Sequence, residues 1–330
     1  MQALATGLAF FAKRAAQAIL VMLAIAVIAF AVKGALGDPL REIMGEAVPE
    51  AERAALRHEL GLDAPWPAQL ARYLGNAAKG DLGQSYIYKR STLEVVLAKF
   101  PASFELVLAA SLIVLLVSLP AGIYCAVRPR SLGARLTLGL SVLGISVPVF
   151  LTGIFLISIF SVWLGLLPAF GRGETVELGF WETGLLTLDG LEHLVLPAIT
   201  LSSIMLPLFI RLVRSAMLDQ LGSDYVRTAR AKGASSLRVW LNHALRNALL
   251  PIIALGALQI GNMLAFTLLT ETVFQWPGMG FLFLEAVTRA DIPLITTYLV
   301  AVGLLFVVTN TLADVASLWL DPRIGLEGQR

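Results

Sequence analysis

Residues 102–127 read ASFELVLAASLIVLLVSLPAGIYCAV and contain one charged side chain, Glu105, close to the start. A helix needs about 20 mostly apolar residues to cross roughly 30 Å of hydrocarbon. The run is long enough and apolar enough to meet that requirement. It therefore predicts a helix that spans a membrane.

Five further apolar stretches have the same character. Together they predict six spanning helices, at residues 15–32, 102–127, 136–164, 194–213, 251–271 and 292–313. Prolines inside these stretches, among them Pro148, Pro197 and Pro207, are tolerated where neighbouring helices or water satisfy the freed carbonyl groups. The first stretch could instead belong to a cleaved signal peptide, after Lys13 and Arg14, but it is longer than the usual 7 to 15 residues. We therefore predict an all-α integral membrane protein that keeps its first span.

Composition agrees with this class. Hydrophobic residues make up 57% of the 330 residues and charged residues 15%, whereas a soluble domain has about 25% charged residues. The mean hydropathy is +0.79. A net charge of +2 is too small to indicate nucleic-acid binding, which needs a clustered basic face. One cysteine and three scattered histidines predict neither a disulfide nor a metal site.

Arginine and lysine residues orient the spans, because short cytoplasmic loops carry the excess of positive charge. The loops after spans two and four are basic, whereas the segments after spans three and five contain one arginine each, Arg172 and Arg289. This pattern predicts that both termini lie in the cytoplasm. It divides the chain into a tail with span one at 1–32, a small extracytoplasmic segment at 33–100, a membrane domain at 101–318 and a cytoplasmic tail at 319–330.

The segment at 33–100 is the one stretch long enough to fold outside the membrane. Residues 49–60 have the spacing of a short helix, and residues 69–78 are amphipathic after the helix-breaking Pro65 and Pro67. Two compatible uses remain open. The segment could cap the outer mouth of a pore, or it could be a docking surface for an external solute-binding protein.

The loop at 215–250 carries most of the functional information. Residues 219–232 are mostly good helix formers, and Gly233 can end a helix because glycine adopts the left-handed conformation without steric cost. Ser235 or Ser236 can then cap a second helix. We predict a basic helix–break–helix element at the membrane surface, which a second protein could grip. Basic residues beside spans are also ordinary topology signals, so this simpler interpretation stays open.

A known pattern occupies the same loop. The run DYVRTARAKG at 224–233, with HALRNA at 243–248 and Leu250-Pro251, resembles the EAA loop of permease subunits in binding-protein-dependent ABC importers of the dipeptide/oligopeptide/nickel branch. The generic motif begins with Glu-Ala-Ala, whereas this chain has Arg227-Thr228-Ala229, which argues against a sugar or amino-acid branch. Further motifs that are similar to the first permease of such a pair are GDP at 37–39, LGLD at 60–63, GDLG at 80–83, SVPVF at 146–150, ETVF at 271–274, WPG at 276–278 and DPR at 321–323.

The resemblance implies a type I ABC importer membrane fold in a bacterial inner membrane. It implies a heterodimer of two related permeases, two ATP-binding-cassette subunits, and an extracytoplasmic solute-binding protein. The chain itself lacks a Walker A loop, because Asp81 follows the glycine-spaced run Gly75 to Gly80 where a lysine is needed. We therefore expect no enzyme activity and no cofactor in this chain, with ATP and Mg²⁺ bound by the partner subunits.

The resemblance also assigns the loop helix to coupling. We expect this helix to lie in a groove of the ATPase, with Arg227, Arg230 and Lys232 making charged contacts and Gly233-Ala234 allowing close approach. ATP-driven closure would then move spans four and five together. The residues assigned to this contact are Asp224, Tyr225, Arg227, Thr228, Ala229, Arg230, Lys232, Gly233 and Ala234.

Polar side chains inside apolar spans are candidates for the translocation pathway, because they are costly unless they face a cavity or pair with one another. They are Ser141, Ser146, Gln259, Asn262, Thr267, Thr270 and Glu271. Hydrogen bonding between helices is an equally good explanation for each. Glu105 and Asp314 are expected at the membrane interface, His193 is expected to pair with Glu192, and Cys125 is expected to pack.

The residues also bear on two other classes of membrane protein. A secondary transporter driven by ions or protons would work without an ATPase, but such carriers usually place ionisable residues deep within a span, and none is found near a midplane. An intramembrane enzyme would need paired acids, a metal motif or a Ser/Lys pair at membrane depth, and none is visible. The cargo stays open between dipeptides, longer peptides, glutathione, nickel chelates and opine-like compounds.

Overall fold

The computed structural model describes residues 14, 16–17, 19–25, 27–28, 49–59 and 63–320. The described residues of the predicted first span, between Arg14 and Ile28, are helical. The rest of that span, residues 33–48 and 60–62 of the predicted extracytoplasmic segment, and residues 321–330 of the predicted cytoplasmic tail lie outside the described residues.

Most of the described chain is helical. In chain order the helices are α1 Glu50–Glu59, α2 Trp66–Ala77, α3 Thr92–Val127, α4 Leu132–Ser146, α5 Val149–Leu156, α6 Leu188–Leu221, α7 Asp224–Ala231, α8 Ser236–Arg238, α9 Arg246–Val273, α10 Met279–Thr288 and α11 Ile292–Leu320. Single π-helical segments follow α5 at Ile157–Trp163 and α8 at Val239–Leu245. Two short strands, β1 Val176–Leu178 and β2 Trp181–Thr183, pair with each other.

Four helices among the described residues are long and apolar enough to cross a membrane. They are Thr92–Val127, Leu188–Leu221, Ser236–Leu264 and Ile292–Val315. These helices correspond to the predicted spans two, four, five and six, and each extends beyond the predicted span at one end or both. Apolar runs mark only the part of a helix that suits lipid, whereas capping residues set where the helix begins. At the start of α6, for example, Thr187 Oγ1 accepts a hydrogen bond from the Gly190 N–H at 3.0 Å.

The predicted third span, 136–164, differs from a single helix. α4 ends at Ser146, and Val147 adopts an extended conformation with φ −91° and ψ 122°. Pro148 explains the break, because a proline disfavours helical geometry in the residue before it and cannot donate a backbone hydrogen bond. The chain resumes as α5 and its π-helical continuation, so this part of the membrane domain consists of two shorter apolar helices, Leu132–Val142 and Val149–Trp163.

The chain forms two compact units, of which the first comprises Met1–Ser103, Glu177–Thr183 and Pro277–Val308. Its core joins the start of α3 to α10 and to the first turns of α11. The buried side chains of this core are Val95, Val96, Met279, Leu282, Ala286, Ile292, Leu294, Ile295 and Tyr298. The ring of Tyr298 stacks on Phe283 with ring centroids 4.5 Å apart.

A buried polar network attaches the end of the segment at 33–100, which is predicted to be extracytoplasmic, to this core. The Asp291 carboxylate is fully buried and accepts hydrogen bonds from Ser85 Oγ at 2.5 Å and from the Ile87 N–H at 3.2 Å. It also accepts a hydrogen bond from the Leu294 N–H at 3.2 Å, at the start of α11. The loop before α3 is therefore fixed to α11 by charge-assisted hydrogen bonds, which are stronger than bonds between neutral groups.

The second unit comprises Phe104–Val176, Gly184–Trp276 and Thr309–Arg330. Helix α6 is its centre and packs against α4, α5 and α9. A methyl group added at Gly122 of α3 would lie 2.5 Å from Val213 Cβ of α6. Only glycine permits two helices to approach so closely at this point.

An ion pair is buried in the second unit. Arg172 Nη2 lies 2.8 Å from Glu105 Oε2, and both side chains are less than a tenth exposed. The guanidinium carbon also lies 5.9 Å from the ring centroid of Trp276. Glu105, which we expect at the membrane interface, therefore has a buried counter-ion 67 positions further along the chain, and no local pattern reveals that partner.

The surroundings of Cys125 and His193 agree with the sequence-based expectation in one case and differ from it in the other. Cys125 is buried, as expected, with its Sγ 3.8 Å from the Ala134 carbonyl oxygen. His193 was expected to pair with Glu192, but its Nδ1 lies 2.8 Å from the Asp189 carbonyl oxygen and 3.4 Å from Asp189 Oδ1. Residues four apart share one face of a helix, whereas adjacent residues do not.

Candidate coupling site

The predicted coupling helix is present as α7, directly after α6. Ser223 is extended, with φ −74° and ψ 155°, and occupies the N-cap position. Asp224 lies in the first turn and Arg230 in the last turn. These charges complement the helix dipole, whose positive end is at the N-terminus. Arg227 also pairs with Asp224 on the exposed surface.

Gly233 ends this element as predicted. It adopts φ +83°, and a methyl group added there would have no heavy atom within 4 Å. The Gly233 N–H donates to the Arg230 carbonyl at 2.9 Å, and the Ala234 N–H donates to the Ala229 carbonyl at 3.1 Å. This is the hydrogen-bonding pattern of a helix that ends at a left-handed glycine. Space around Gly233 is open, so a larger residue there would change the outer surface rather than the interior.

The second helix of the element begins at Ser236, after Ser235 in an extended conformation with φ −62° and ψ 151°. It does not end before Pro251. Instead, α8, the π-helical segment and α9 follow one another directly from Ser236 to Val273. The predicted second helix and the predicted fifth span are therefore one helical run, and Pro251 lies within it.

The side chain of Tyr225 braces α7 against both neighbouring helices. Its hydroxyl group donates to Gln220 Oε1 of α6 at 2.8 Å and lies 3.3 Å from the His243 carbonyl oxygen. It accepts a hydrogen bond from Asn247 Nδ2 of α9 at 3.0 Å. Val226, which is the next residue of α7, is fully buried. Helix α7 is therefore fixed to the C-terminal end of α6 and to the N-terminal end of α9. Both of these ends are predicted to lie on the cytoplasmic side.

A cavity of about 430 Å³ lies between α7 and the helical run that follows. It is lined by Tyr225, Thr228, Ala229, Lys232, Gly233, Ala234, Arg238 and His243. Six of the nine residues assigned to coupling thus line one cavity, whereas Asp224, Arg227 and Arg230 lie on the exposed surface of α7. Arg238 and His243 were not assigned to coupling. The sequence signal for Arg238 was its place in the basic loop, and His243 also begins the HALRNA run that resembles the EAA loop.

The seven candidate pathway residues do not form one site. Thr267, Thr270 and Glu271 are buried within the second unit, and Thr267 Oγ1 donates to the Leu264 carbonyl oxygen at 2.7 Å. Ser141 and Ser146 bond to carbonyl oxygens of their own helix, those of Thr137 at 2.8 Å and Val142 at 3.2 Å.

Gln259 and Asn262 differ from the other five. Asn262 is exposed and Gln259 is half-buried, and Asn262 Nδ2 donates to Gln259 Oε1 at 2.8 Å. Both amides lie on α9, within a segment apolar enough to cross a membrane. Ser146 is also exposed, but it lies at the end of α4. Gln259 and Asn262 are therefore the candidates whose polar side chains are exposed or half-exposed within one of the four long apolar helices.

Two family models match the chain. One is described as "Binding-protein-dependent transport system inner membrane component" and matches residues 118–326. The other describes the N-terminal part of such membrane components and matches residues 7–107. The chain belongs to this family. It is thus a membrane component rather than the ATP-binding subunit, and it is a multi-pass inner-membrane protein, as the sequence predicted.

Curated relatives extend over nearly the whole chain of this permease. The "Di/tripeptide transport system permease protein DppB" of Pseudomonas aeruginosa is 39% identical over 96% of this chain and 98% of its own length. The "Oligopeptide transport system permease protein AppB" of Bacillus subtilis is 36% identical over 96% of this chain and 99% of its own length. The "Probable D,D-dipeptide transport system permease protein DdpB" of Escherichia coli is 38% identical over 94% of this chain and 95% of its own length.

A solved structure shows the same fold. A chain of the MetNI methionine ABC transporter in inward-facing conformations aligns with a TM-score of 0.52 over 69% of this permease and 97% of that chain, at 15% identity. The predicted fold class, an all-α membrane protein of the type I ABC importer kind, is confirmed. The resemblance to permeases of the dipeptide and oligopeptide branch is confirmed as well.

Proposed function

We propose that this permease forms half of the translocation pathway of an ATP-driven importer for di- or oligopeptides or related small solutes. The names of the relatives support peptides, since three proteins that are 36% to 39% identical over most of their length are peptide permeases. The cargo reaches the permease on an extracytoplasmic binding protein. The family description, which makes transport dependent on a binding protein, supports this part of the proposal.

The proposed assembly has four membrane-associated subunits. A homologous second permease completes the pathway, and two ATP-binding-cassette subunits bind ATP and Mg²⁺ on the cytoplasmic side. Both termini of this chain lie on that side. The basic character of α7 and its surroundings supports the orientation, because short cytoplasmic loops carry the excess of positive charge.

The observation that carries the coupling proposal is the bracing of α7 by Tyr225. Arg227, Arg230 and Lys232 are exposed on the surface that would meet the ATPase. Behind them, the Tyr225 hydroxyl contacts Gln220 of α6 and Asn247 of α9. A displacement of α7 by the ATPase therefore reaches two spanning helices without an intervening flexible loop. ATP binding shifts the population between inward- and outward-facing states through this element.

Gly233 provides the test of the coupling proposal. Gly233→Asp and Gly233→Arg place a charged side chain on the open surface where the ATPase would bind. Most residues other than glycine also cost about 1–2 kcal/mol in a left-handed conformation, and aspartate costs less than most. We expect assembly to weaken, or to persist with loss of both peptide uptake and stimulated ATP hydrolysis, measured on the complete importer in proteoliposomes.

Gly179 offers a matched control, because it has φ +68° and open space around it in the turn between β1 and β2. Gly179→Asp carries the same backbone strain far along the chain from α7 and should retain ATPase binding and stimulated hydrolysis. If the Gly233 variants retain assembly, uptake and stimulation at the level of Gly179→Asp, α7 is not the coupling helix. Peptide uptake by the permease alone, without ATPase subunits, would instead support a secondary transporter.

A further inference from the structure

A cavity of about 240 Å³ lies inside the second unit, between α3, α6 and α9. Its walls are mostly apolar and include Phe209, Ile252 and Met263. Gly256 leaves one wall without a side chain, and a methyl group added there would lie 3.7 Å from the Phe209 ring. A side chain larger than alanine at Gly256 would extend into this space or against the Phe209 ring.

The cavity lies at membrane depth. All three helices that form it contain segments long and apolar enough to span a bilayer. Ser111, which lines it, is close to the middle of α3, and its Oγ lies 3.6 Å from Met263 Sδ. A solute in the cavity would therefore be surrounded by spanning helices, away from both aqueous surfaces.

The polar rim of the cavity indicates the side to which it opens. Gln259 lines the cavity and bonds to the exposed Asn262 one turn further along α9. Within the described residues, this bond leaves the Gln259 Nε2 donors and the Asn262 Oδ1 acceptor available. Uncompensated amides are costly in hydrocarbon. The face of α9 that carries them must therefore contact water or another protein chain, and the cavity adjoins that face.

We propose that this cavity is a subsite that receives an apolar side chain of a peptide during translocation, while the Gln259 amide bonds to the peptide backbone. The inference rests on the proposed function as a peptide permease, and it names the cavity that the transported peptide would contact. The size is suitable, because an apolar cavity of about 150 Å³ binds benzene. The thioether of Met263 adapts to side chains of different shape.

A peptide fits this cavity better than the acyl chain of a lipid. An acyl chain already lies in an apolar medium, so it gains no hydrophobic free energy by entering a cavity that is equally apolar. A leucine or phenylalanine side chain arrives from water and gains the free energy of transfer. The Gln259 amide has no partner in an acyl chain, whereas it can bond to any peptide backbone.

The test fills the cavity in the complete importer, reconstituted in proteoliposomes with its ATPases, second permease and binding protein. Gly256→Leu occupies the space, and Gly256→Ala adds one methyl group at an ordinary contact distance, which keeps a variant that folds. Uptake of Ala-Ala, Leu-Leu and Phe-Phe is measured at saturating binding protein and compared with that of the unmodified importer. We expect Gly256→Leu to lower uptake of Leu-Leu and Phe-Phe about tenfold relative to Ala-Ala, and Gly256→Ala to give a smaller change in the same order.

Gly139→Leu is the matched control, because Gly139 is exposed on α4 and has no heavy atom near an added methyl group. It should leave the ratios between the peptides unchanged. Equal loss for all three peptides in the Gly256 variants, or a loss that follows the acyl-chain length of the vesicle lipid, overturns the subsite. If the unmodified importer takes up none of the peptides with ATP, the proposed function itself fails, which distinguishes the two failures.

Discussion

Breaking the buried ion pair in the second unit should destabilise the permease strongly. Arg172→Met removes the cation and keeps most of the side-chain volume, but it leaves the Glu105 carboxylate, which is 2% exposed, without its counter-ion at 2.8 Å. Removing one partner of a buried pair costs about 3–5 kcal/mol, because the remaining charge stays desolvated. Since 1 kcal/mol corresponds to about 2–4 °C for domains of 150 to 250 residues, we expect the midpoint of thermal unfolding to fall by about 10 °C.

The assay is thermal unfolding of the assembled importer in detergent, followed by tryptophan fluorescence. Arg90→Met is the control, because Arg90 and Glu94 form a pair at 3.6 Å with side chains 70% and 62% exposed. An exposed pair contributes about 0–1 kcal/mol, so this variant should unfold near the temperature of the unmodified protein. Combining Arg172→Met with Glu105→Gln should recover much of the loss. Equal midpoints for Arg172→Met and Arg90→Met would refute the reasoning.

Two further predictions concern tyrosines. Tyr225→Phe removes the hydroxyl that joins α7 to α6 and α9, so the amount of peptide taken up per ATP hydrolysed should fall several-fold. Tyr124 is similarly exposed, and Tyr124→Phe should leave this ratio unchanged. Equal ratios in the two variants would contradict the bracing role. Burial raises the pKa of Tyr86 and of Tyr88 from 10 to about 12, so the stability they contribute is complete below pH 10 and is lost as the pH rises to 12. Replacing both by phenylalanine should flatten the fall in unfolding temperature over that range, as checked by unfolding curves with tyrosinate absorbance, and an unchanged fall would contradict the assignment.

Much of the fold followed from the sequence because lipid imposes one simple requirement on spanning helices. Long uncharged runs located the spans at α3, α6, α9 and α11. The ends of these helices were less predictable. The start of α3 at Thr92 depends on packing of Val95 and Val96 in the first unit, which hydropathy does not report.

The break in the third span was visible as Pro148, but the sequence did not decide between a kink and a new helix. Pro207 lies inside α6 without ending it. The difference lies in which neighbouring groups satisfy the carbonyl oxygens that a proline frees, and this is decided by tertiary contacts.

The candidate coupling site was predictable where the signals were local. Gly233 has the left-handed conformation that its place after a helix indicated. The bracing by Tyr225 was not predictable, because it joins this residue to side chains on two other helices, one of them 22 positions away. Among the pathway candidates, composition alone could not separate Gln259 and Asn262, which reach the surface of a spanning helix, from Thr270 and Glu271, which do not.

The helical run from Ser236 to Val273 has a mechanical consequence. Its 38 residues amount to a rod about 57 Å long at 1.5 Å per residue, well beyond the roughly 30 Å of hydrocarbon. A tilt of about 10° about one end of such a rod displaces the other end by about 10 Å. A small change in the tilt of this helix therefore produces a large lateral movement near Val273, and the length of the helix sets the size of that movement.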